Sequence, residues 1–316
     1  MTYEEFKKIY PVRLNPQQEA AVRQTEGPVL LLAVPGSGKT TVLVARIGYL
    51  LCCKEVSPRD ILTVTYTVAA AGDMRRRFRA LFGEKWEREP YFRTINGLCA
   101  GIIRRYAGLR GREPFALADN EGQLNAVLRE LLARTGTAYP TEQQVRDART
   151  HITYCKNMML PEEEIHTHQV DGMDFPAVYF EYQDFLRRSR LMDYDDQMVF
   201  ALRILRREPE ILDSFQDRCR YICLDEAQDT SKIQHAILAL LARKHRNLFM
   251  VGDEDQSIYG FRAAWPQALL EFEKNWPGAR VLLMETNYRS TQSIVERADA
   301  FIQRNRDTHP KHMRTD

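Results

Sequence analysis

The run Ala33-Val34-Pro35-Gly36-Ser37-Gly38-Lys39-Thr40, followed by Thr41, has the residue types and spacing of an anion cradle. Gly36 and Gly38 lack the β-carbons that would keep backbone N–H groups from closing round a phosphate. A helix starting just behind them would aim its positive end at the same spot. Lys39 adds a mobile cation for outer phosphates, and Thr40 a hydroxyl able to bind Mg²⁺. Far along the chain, Leu224-Asp225-Glu226-Ala227-Gln228-Asp229 offers the carboxylates that such a cradle lacks. By position, Asp225 would hold the metal with Thr40, and Glu226 would act as base or orient the attacking water. Together the two runs point to hydrolysis of Mg²⁺-ATP.

Two distant runs can form one site only if a scaffold brings them together. An apolar stretch, Val29-Leu30-Leu31-Leu32, precedes the cradle, and Leu43, Ile47, Leu50 and Leu51 follow it at helical spacing, so the local order is strand, loop, helix. Four more short apolar runs end in polar residues. Ile61 to Val64 leads into Thr65-Tyr66-Thr67, Tyr221 to Leu224 into Asp225-Glu226, Leu248 to Val251 into Gly252-Asp253, and Val281 to Met284 into Glu285-Thr286-Asn287. Buried strands with ligand groups at their carboxyl ends are the mark of a doubly wound parallel α/β sheet. Between about Tyr106 and Arg190 the strand pattern gives way to helical stripes, among them Leu124, Val127, Leu128, Leu131 and Leu132, and Thr141 with Gln144 forms a capping-box pattern. This predicts an α/β domain interrupted by an all-helical one and resumed near Met192. Asn15 and Pro16 mark a helix start near the N-terminus, and no completed element is expected after Ile302.

The bulk numbers narrow the class. A chain of 316 residues can bury a large core without metal or disulfide staples. With 45 basic against 43 acidic residues, the net charge of +2 gives no strong global field, so any polynucleotide contact must rest on local groups. The six cysteines form no C-x2-C pair, which disfavours a zinc site or disulfide framework. None of the histidines shows zinc-ligand spacing with carboxylate support, and His166 and His168 read as surface residues. The charged N-terminus and the lack of a long apolar run predict a soluble, cytoplasmic protein without a membrane partner.

Leu14-Asn15-Pro16-Gln17-Gln18, the cradle, Asp225 to Asp229, the run Gly252-Asp253-Glu254-Asp255-Gln256-Ser257-Ile258-Tyr259-Gly260-Phe261-Arg262 and Asn287-Tyr288-Arg289-Ser290 occur in a telling order. In that series the chain resembles superfamily 1 DNA helicases of the UvrD, Rep and PcrA type, over nearly its whole length, as their N-terminal portion. The resemblance implies a RecA-like P-loop NTPase domain at 1–105 and 191–284, a helical insertion at 106–190, and the beginning of an incomplete second RecA-like domain at 285–316. It also implies that Gln18 reads the adenine edge, Tyr288 stacks on the base, Gln256 senses the γ-phosphate and Arg289 acts as an arginine finger. Asp193-Tyr194-Asp195-Asp196 resembles the family's acidic stretch where the chain returns to the first domain, and also reads as a plain helix cap.

Single-stranded DNA is held by aromatic faces and by groups that meet phosphates. Candidates are Thr65 and Tyr66, Thr94 and Asn96, and Tyr259, Phe261 and Arg262. Departures from relatives fall here. Val68-Ala69 stands where they usually carry Asn-Lys, Asn96 where they show His, Phe261 where Trp is common, and Ala33 where the cradle usually begins with Gly. Arg75, Arg76, Arg77 and Arg79 could supply a phosphate track or a solvated face. The expected activity is an ATP-dependent, 3′ to 5′ translocating helicase motor acting on single-stranded DNA or duplex junctions, with repair or nuclease proteins as possible partners. If the polypeptide is a fragment, it should bind Mg²⁺-ATP but hydrolyse it weakly. The alternative is a nucleotide-gated DNA-binding module of a repair or helicase-nuclease complex. A small-molecule kinase fits less well, because residues 225–229 and 256–262 have no role in one.

Overall fold

The structure, a computed structural model, describes residues 1–83, 86, 88–258, 260, 263–305 and 308–315. Helices α1 (Tyr3–Ile9) and α2 (Pro16–Arg23) open the chain, α2 starting at an Asn15 cap that is reciprocated by Gln18. Three strand–helix units follow: β1 (Val29–Ala33) with α3 (Lys39–Cys53), β2 (Ile61–Thr65) with α4 (Val68–Phe82), and β3 (Tyr91–Thr94) with α5 (Ile95–Leu109). The chain then leaves through β4 (Ala116–Leu117) and builds α6 (Glu121–Arg134), α7 (Glu142–Asn157), α8 (Glu162–His166) and α9 (Phe175–Arg188). It returns by β5 (Leu191–Met192), which lies parallel to β4. After α10 (Tyr194–Arg207) and α11 (Pro209–Arg218) come β6 (Tyr221–Leu224), α12 (Lys232–Ala242), β7 (Asn247–Gly252), the single turns α13 (Gln267–Leu270) and α14 (Phe272–Asn275), and β8 (Arg280–Met284). The last elements are β9 (Thr286–Asn287), α15 (Gln292–Ile302) and β10 (Arg314–Thr315).

Six strands form one parallel sheet in the order β3-β2-β6-β7-β1-β8. Alternation along each strand splits the core. Leu30, Leu32, Ile222, Leu224, Leu248 and Met250 face α5, α10 and α12, whereas Val29, Leu31, Phe249 and Val251 face α1 to α4. Both faces are covered, which is why the strands read as unbroken apolar runs. The helical layer has its own core, with Leu128, Leu132, Val145, Ile152, Phe175 and Val178 at its centre. Among the described residues, no helix is long and apolar enough to cross a membrane.

Three features depart from what periodicity suggests. β3 was not expected, because an edge strand with only Phe92 buried carries little apolar signal. α5 runs unbroken past residue 105 to Leu109, so the chain leaves the sheet later than the fading strand pattern implied. An ordered segment follows α15, with β10 pairing Arg314 to Thr286 and Thr315 to Asn287.

Two buried cations tie helices together. Arg46 of α3 is only 2% exposed; its guanidinium lies 4.0 Å from the Phe249 ring centroid and donates to the carbonyls of Ala21 (3.0 Å), Thr25 (3.2 Å) and Gln24 at the end of α2. A helix C-terminus exposes unpaired carbonyls, and this guanidinium satisfies them. Lys156 of α7 pairs with Asp193 (2.7 Å) and Asp196 (2.8 Å) at the start of α10, and Asp193 also accepts from the Tyr182 hydroxyl (3.2 Å). Asp193 is thus both a helix cap and half of a buried ion pair.

Two stability predictions follow from this packing. A β-carbon at Gly48 of α3 would sit 2.0 to 2.6 Å from the Phe82 ring, inside the cluster of Phe6, Tyr10, Phe78 and Phe82. Overpacking of that kind costs about 1–3 kcal/mol and outweighs the ~1 kcal/mol helix preference for alanine. Gly48→Ala should therefore lower unfolding stability in urea, and a variant as stable as the parent would contradict the packing. His235 of α12 is buried, donates Nε2–H to the Ala227 carbonyl (3.2 Å), and is held down at about 4 by burial. Between its ordinary value of 6.5 and 4, the unfolded chain takes up a proton that the folded chain refuses, so stability falls as pH drops through this window. His235→Gln should abolish this acid loss, worth about 3 kcal/mol at roughly 1.4 kcal/mol per pH unit. Parallel stability–pH curves for parent and variant would refute it.

Candidate nucleotide site and adjoining groove

Parallel strands deliver the site. The loop after β1 turns through Gly36 (φ +72°) and Gly38 (φ +86°), a backbone region that other residues rarely adopt. Space forbids a side chain as well. A β-carbon on Gly36 would lie 2.7 Å from Arg289 Cβ and 2.8 Å from Asn287 Oδ1, and one on Gly38 would lie 3.0 Å from Gln18 Nε2. Ala33 is the buried last residue of β1, and Val34 N–H donates to Met284 O of β8 (3.0 Å). Pro35 and Ser37 complete the loop, and the Ser37 hydroxyl is buried without a hydrogen-bond partner. Lys39, Thr40 and Thr41 form the first turn of α3, which contains no acidic residue and whose N-terminus has no side-chain cap. An uncapped helix start without carboxylates, closing a glycine loop, suits an anion.

Two flanks embrace this loop. Gln18 Nε2 donates to Ser37 O (2.8 Å), while Asn15 Nδ2 donates to the Tyr288 hydroxyl (2.7 Å). Tyr288 N–H in turn donates to Gly36 O (3.0 Å), and Asn287 Oδ1 accepts from the N–H groups of Arg289 (2.7 Å) and Ser290 (2.9 Å). Gln18, Tyr288 and Arg289 are therefore gathered at the loop, Tyr288 and Arg289 exposed and Gln18 buried.

On the other side, Asp225 and Glu226 leave the end of β6. Glu226 adopts a left-handed conformation (φ 50°), a strained one for a residue with a β-carbon. Its carboxylate accepts from Lys39 Nζ (2.8 Å) and Gln228 Nε2 (2.9 Å). Burial works against its charge, but Lys39 and Gln228 prevail and hold it below the usual range. Asp225 behaves oppositely: burial and the neighbouring Glu226 push it up to about 6. An acid so placed favours a cation beside it. Among the described residues there is no cluster of three or more His, Cys, Asp or Glu side chains able to hold a metal by themselves. Mg²⁺ normally takes one or two protein oxygens together with substrate phosphates, and a hydroxyl such as that of Thr40 and a carboxylate such as that of Asp225 are oxygen donors of that kind.

The contacts continue away from the phosphate loop. Gln228 Oε1 accepts from Asp253 N–H (3.1 Å), and Asp253 Oδ2 accepts from Gln256 Nε2 (2.6 Å). Gly252 makes room, since a β-carbon there would sit 2.8 Å from Gln228 Oε1. A relay thus joins Lys39, Glu226, Gln228, Asp253 and Gln256.

Beyond it lies a cleft of about 700 Å³ between the sheet and the helical layer, lined by Tyr66, Thr94 and Asn96 on one wall and Arg146, Arg149 and Thr150 of α7 on the other. Tyr66 is 46% exposed, and Asn96 Oδ1 is buried without a partner. Thr94 caps α5 by accepting from Gly97 N–H (3.2 Å). Thr65 does not line the cleft: it is buried and its hydroxyl donates to Thr67 O (3.0 Å). Tyr259, Phe261 and Arg262 lie outside the described residues. The basic run of α4 is engaged locally, Arg76 and Arg77 with Asp73, and Arg75 and Arg79 with Glu89. His166 is exposed, whereas His168 Nε2 meets His151 Nδ1 at 2.9 Å. Sequence reading had no role for Gln228, Asn287 or the α7 wall. The first two sit inside the motifs, and the third follows from the polar face opposite Val145, Ala148 and Ile152.

Comparison with known proteins agrees with this arrangement. The family model described as UvrD/REP helicase N-terminal domain matches residues 14–277. The ATP-dependent DNA helicase PcrA of Staphylococcus aureus (strain Mu50) is 37% identical over 308 residues, which are 96% of this chain and 41% of that protein. PcrA of Staphylococcus epidermidis (strain ATCC 12228) is 38% identical over the same shares. The chain thus spans about two fifths of the length of these curated relatives. With its phosphate loop, acidic loop and flanking motifs in one place, the chain belongs to the UvrD/REP helicase N-terminal domain family.

Proposed function

We propose that this chain is the ATP-binding part of a DNA helicase motor that moves 3′ to 5′ along single-stranded DNA, with duplex junctions as its working substrate and DNA repair as its setting. The observation that carries the reading is the relay from Lys39 through Glu226, Gln228 and Asp253 to Gln256, because a motor needs its phosphate site physically joined to its track. On this reading residues 1–105 and 191–284 are one RecA-like domain, 106–190 its helical insertion, and 285–316 the start of a second. Gln18 meets adenine, Tyr288 its ring face, and the N–H groups of residues 34–41 the phosphates. Thr40 and Asp225 would hold Mg²⁺, which would supply charge neutralisation at the phosphate oxygens.

Nucleotide arrival gives Lys39 a stronger partner than Glu226, since a polyphosphate carries more charge than one carboxylate. Freed from Lys39 and still held by Gln228, Glu226 orients water and accepts its proton as the water oxygen attacks the γ-phosphorus. The bond to the bridging oxygen breaks, ADP departs, and Arg289 offsets charge on the transferred phosphoryl group. Gln256 registers the loss of the γ-phosphate, and the relay passes it to the loop that leads towards Tyr259, Phe261 and Arg262. In the cleft, Tyr66 stacks on a base while Thr94, Asn96, Arg146 and Arg149 meet the backbone.

Four measurements test the reading. Lys39→Ala should weaken binding of a fluorescent ATP analogue with Mg²⁺ by about tenfold or more, the worth of a charge-assisted contact; unchanged affinity would remove the loop from the nucleotide site. Tyr66→Ala should weaken binding of an oligothymidine by about tenfold, as one lost stack costs ~1–3 kcal/mol. If anisotropy shows no loss, the cleft is not the DNA path. The parent chain should show weak ATPase activity, and unwinding should appear in the full-length gene product; ATP-modulated binding without unwinding there would favour a non-translocating module.

A further inference from the structure

The segment after α15 ties together two loops on either side of the site. Lys311, 6% exposed, places its ammonium 2.8 Å from Asp253 Oδ1, 3.0 Å from Glu254 Oε2 and 2.8 Å from Asp255 Oδ2. These are contacts of charge and proximity; the ammonium does not meet the angular geometry of a hydrogen bond. His309 donates its backbone N–H to Glu254 Oε1 (2.8 Å), and Gln303 Nε2 holds the Lys311 carbonyl (2.7 Å). Three residues later, β10 lies beside Thr286 and Asn287, and the Asn287 side chain holds the turn that carries Arg289. One short segment, residues 309–315, therefore fastens the Arg289 turn to the loop that carries Gln256.

A plain anchor needs one carboxylate, and burying three beside a single ammonium is a poor way to gain stability, because desolvation offsets the attraction. The gain lies in placement. Asp253 uses one oxygen for Lys311 and the other for Gln256 Nε2, so the ammonium fixes the carboxylate that orients the amide. Without Lys311, Asp253 would lose the cation that holds it against Gln256, and Glu254 and Asp255 would lose the cation beside them. Burial raises Asp255 and opposes charge on Glu254, yet His309 and Lys311 bring Glu254 down to about 2, so Glu254 faces the ammonium as a carboxylate at neutral pH.

We propose that Lys311 is a positioning residue for the γ-phosphate side of the nucleotide site, acting through Asp253 on Gln256 and keeping that loop in register with the Arg289 turn. The inference rests on the reading of Gln256 as the group that meets the γ-phosphate. It is tested by the Kd of this chain for fluorescent ADP and fluorescent ATPγS, each with Mg²⁺. Lys311→Met should leave ADP affinity within about twofold and lower ATPγS affinity by about fivefold or more, the size of a modest coupling. Lys311→Arg, which keeps the charge, should restore most of the preference, and Gln256→Ala should lose it as Lys311→Met does. A merely structural Lys311 would lower both affinities alike, and that result, or no change in either, overturns the proposal. Should Lys311→Met fail to fold, Lys311→Gln carries the same measurement with a polar neutral side chain. If Gln256→Ala keeps the ATPγS preference, the reading of Gln256 itself fails. If Gln256→Ala loses it and Lys311→Met does not, only the role of Lys311 fails.

Discussion

Everything in this molecule depends on six strands running the same way. Leu32 sits opposite Gly252 on one side and Leu283 on the other, and Leu224 lies between Val64 and Met250. Those pairings oblige the loops after β1, β2, β6, β7 and β8 to emerge at a single edge of the sheet. Phosphate loop, acidic loop, relay and cleft wall are consequences of that edge, and an antiparallel neighbour would have sent one of them to the far side.

Charge then decides how the loops settle. Lys39 is the only cation paired with Glu226 among the described residues, and Asp225 is left to bear the cost of burial next to it. The two carboxylates of the acidic loop thus stand in opposite balance: Glu226 is satisfied by a lysine, and Asp225 is pushed up by burial and by Glu226. Interior carboxylates in such a balance respond sharply to an arriving anion–cation pair, because attraction is strong where water is scarce. Arg46 shows the opposite design. It is committed to three backbone carbonyls and a ring, with nothing to exchange, and so secures α2, the helix that carries Gln18.

How much of this was readable beforehand follows the range of the interactions. The phosphate loop and the runs at 225–229 and 252–262 were legible because each is a contiguous stretch whose chemistry is local. So were the sheet, whose strands carry their burial on both faces, and the caps at Asn15 and Thr141, each completed within three residues. Arg46 was not, since it lies on the same face as Leu43, Ile47 and Leu50 and nothing local announces that carbonyls await it. Gln228 and Asn287 were quoted within motifs without a role, because their partners come from other loops. β10 and Lys311 were hidden in a polar run, where two strand residues and one buried ammonium leave no periodic trace.

The attachment of the helical layer has a mechanical consequence. Its two crossings, β4 and β5, lie hydrogen-bonded side by side, so the layer is mounted like a door leaf on one pin. Any displacement of the layer therefore acts on both crossings together, through the same two-residue pairing. Since Arg146, Arg149 and Thr150 line the same cleft as Tyr66 and Asn96, the width of the cleft follows from how the layer is seated on its two crossings. The buried contacts of Lys156 with Asp193 and Asp196, just past β5, add a second tie between the layer and the start of α10.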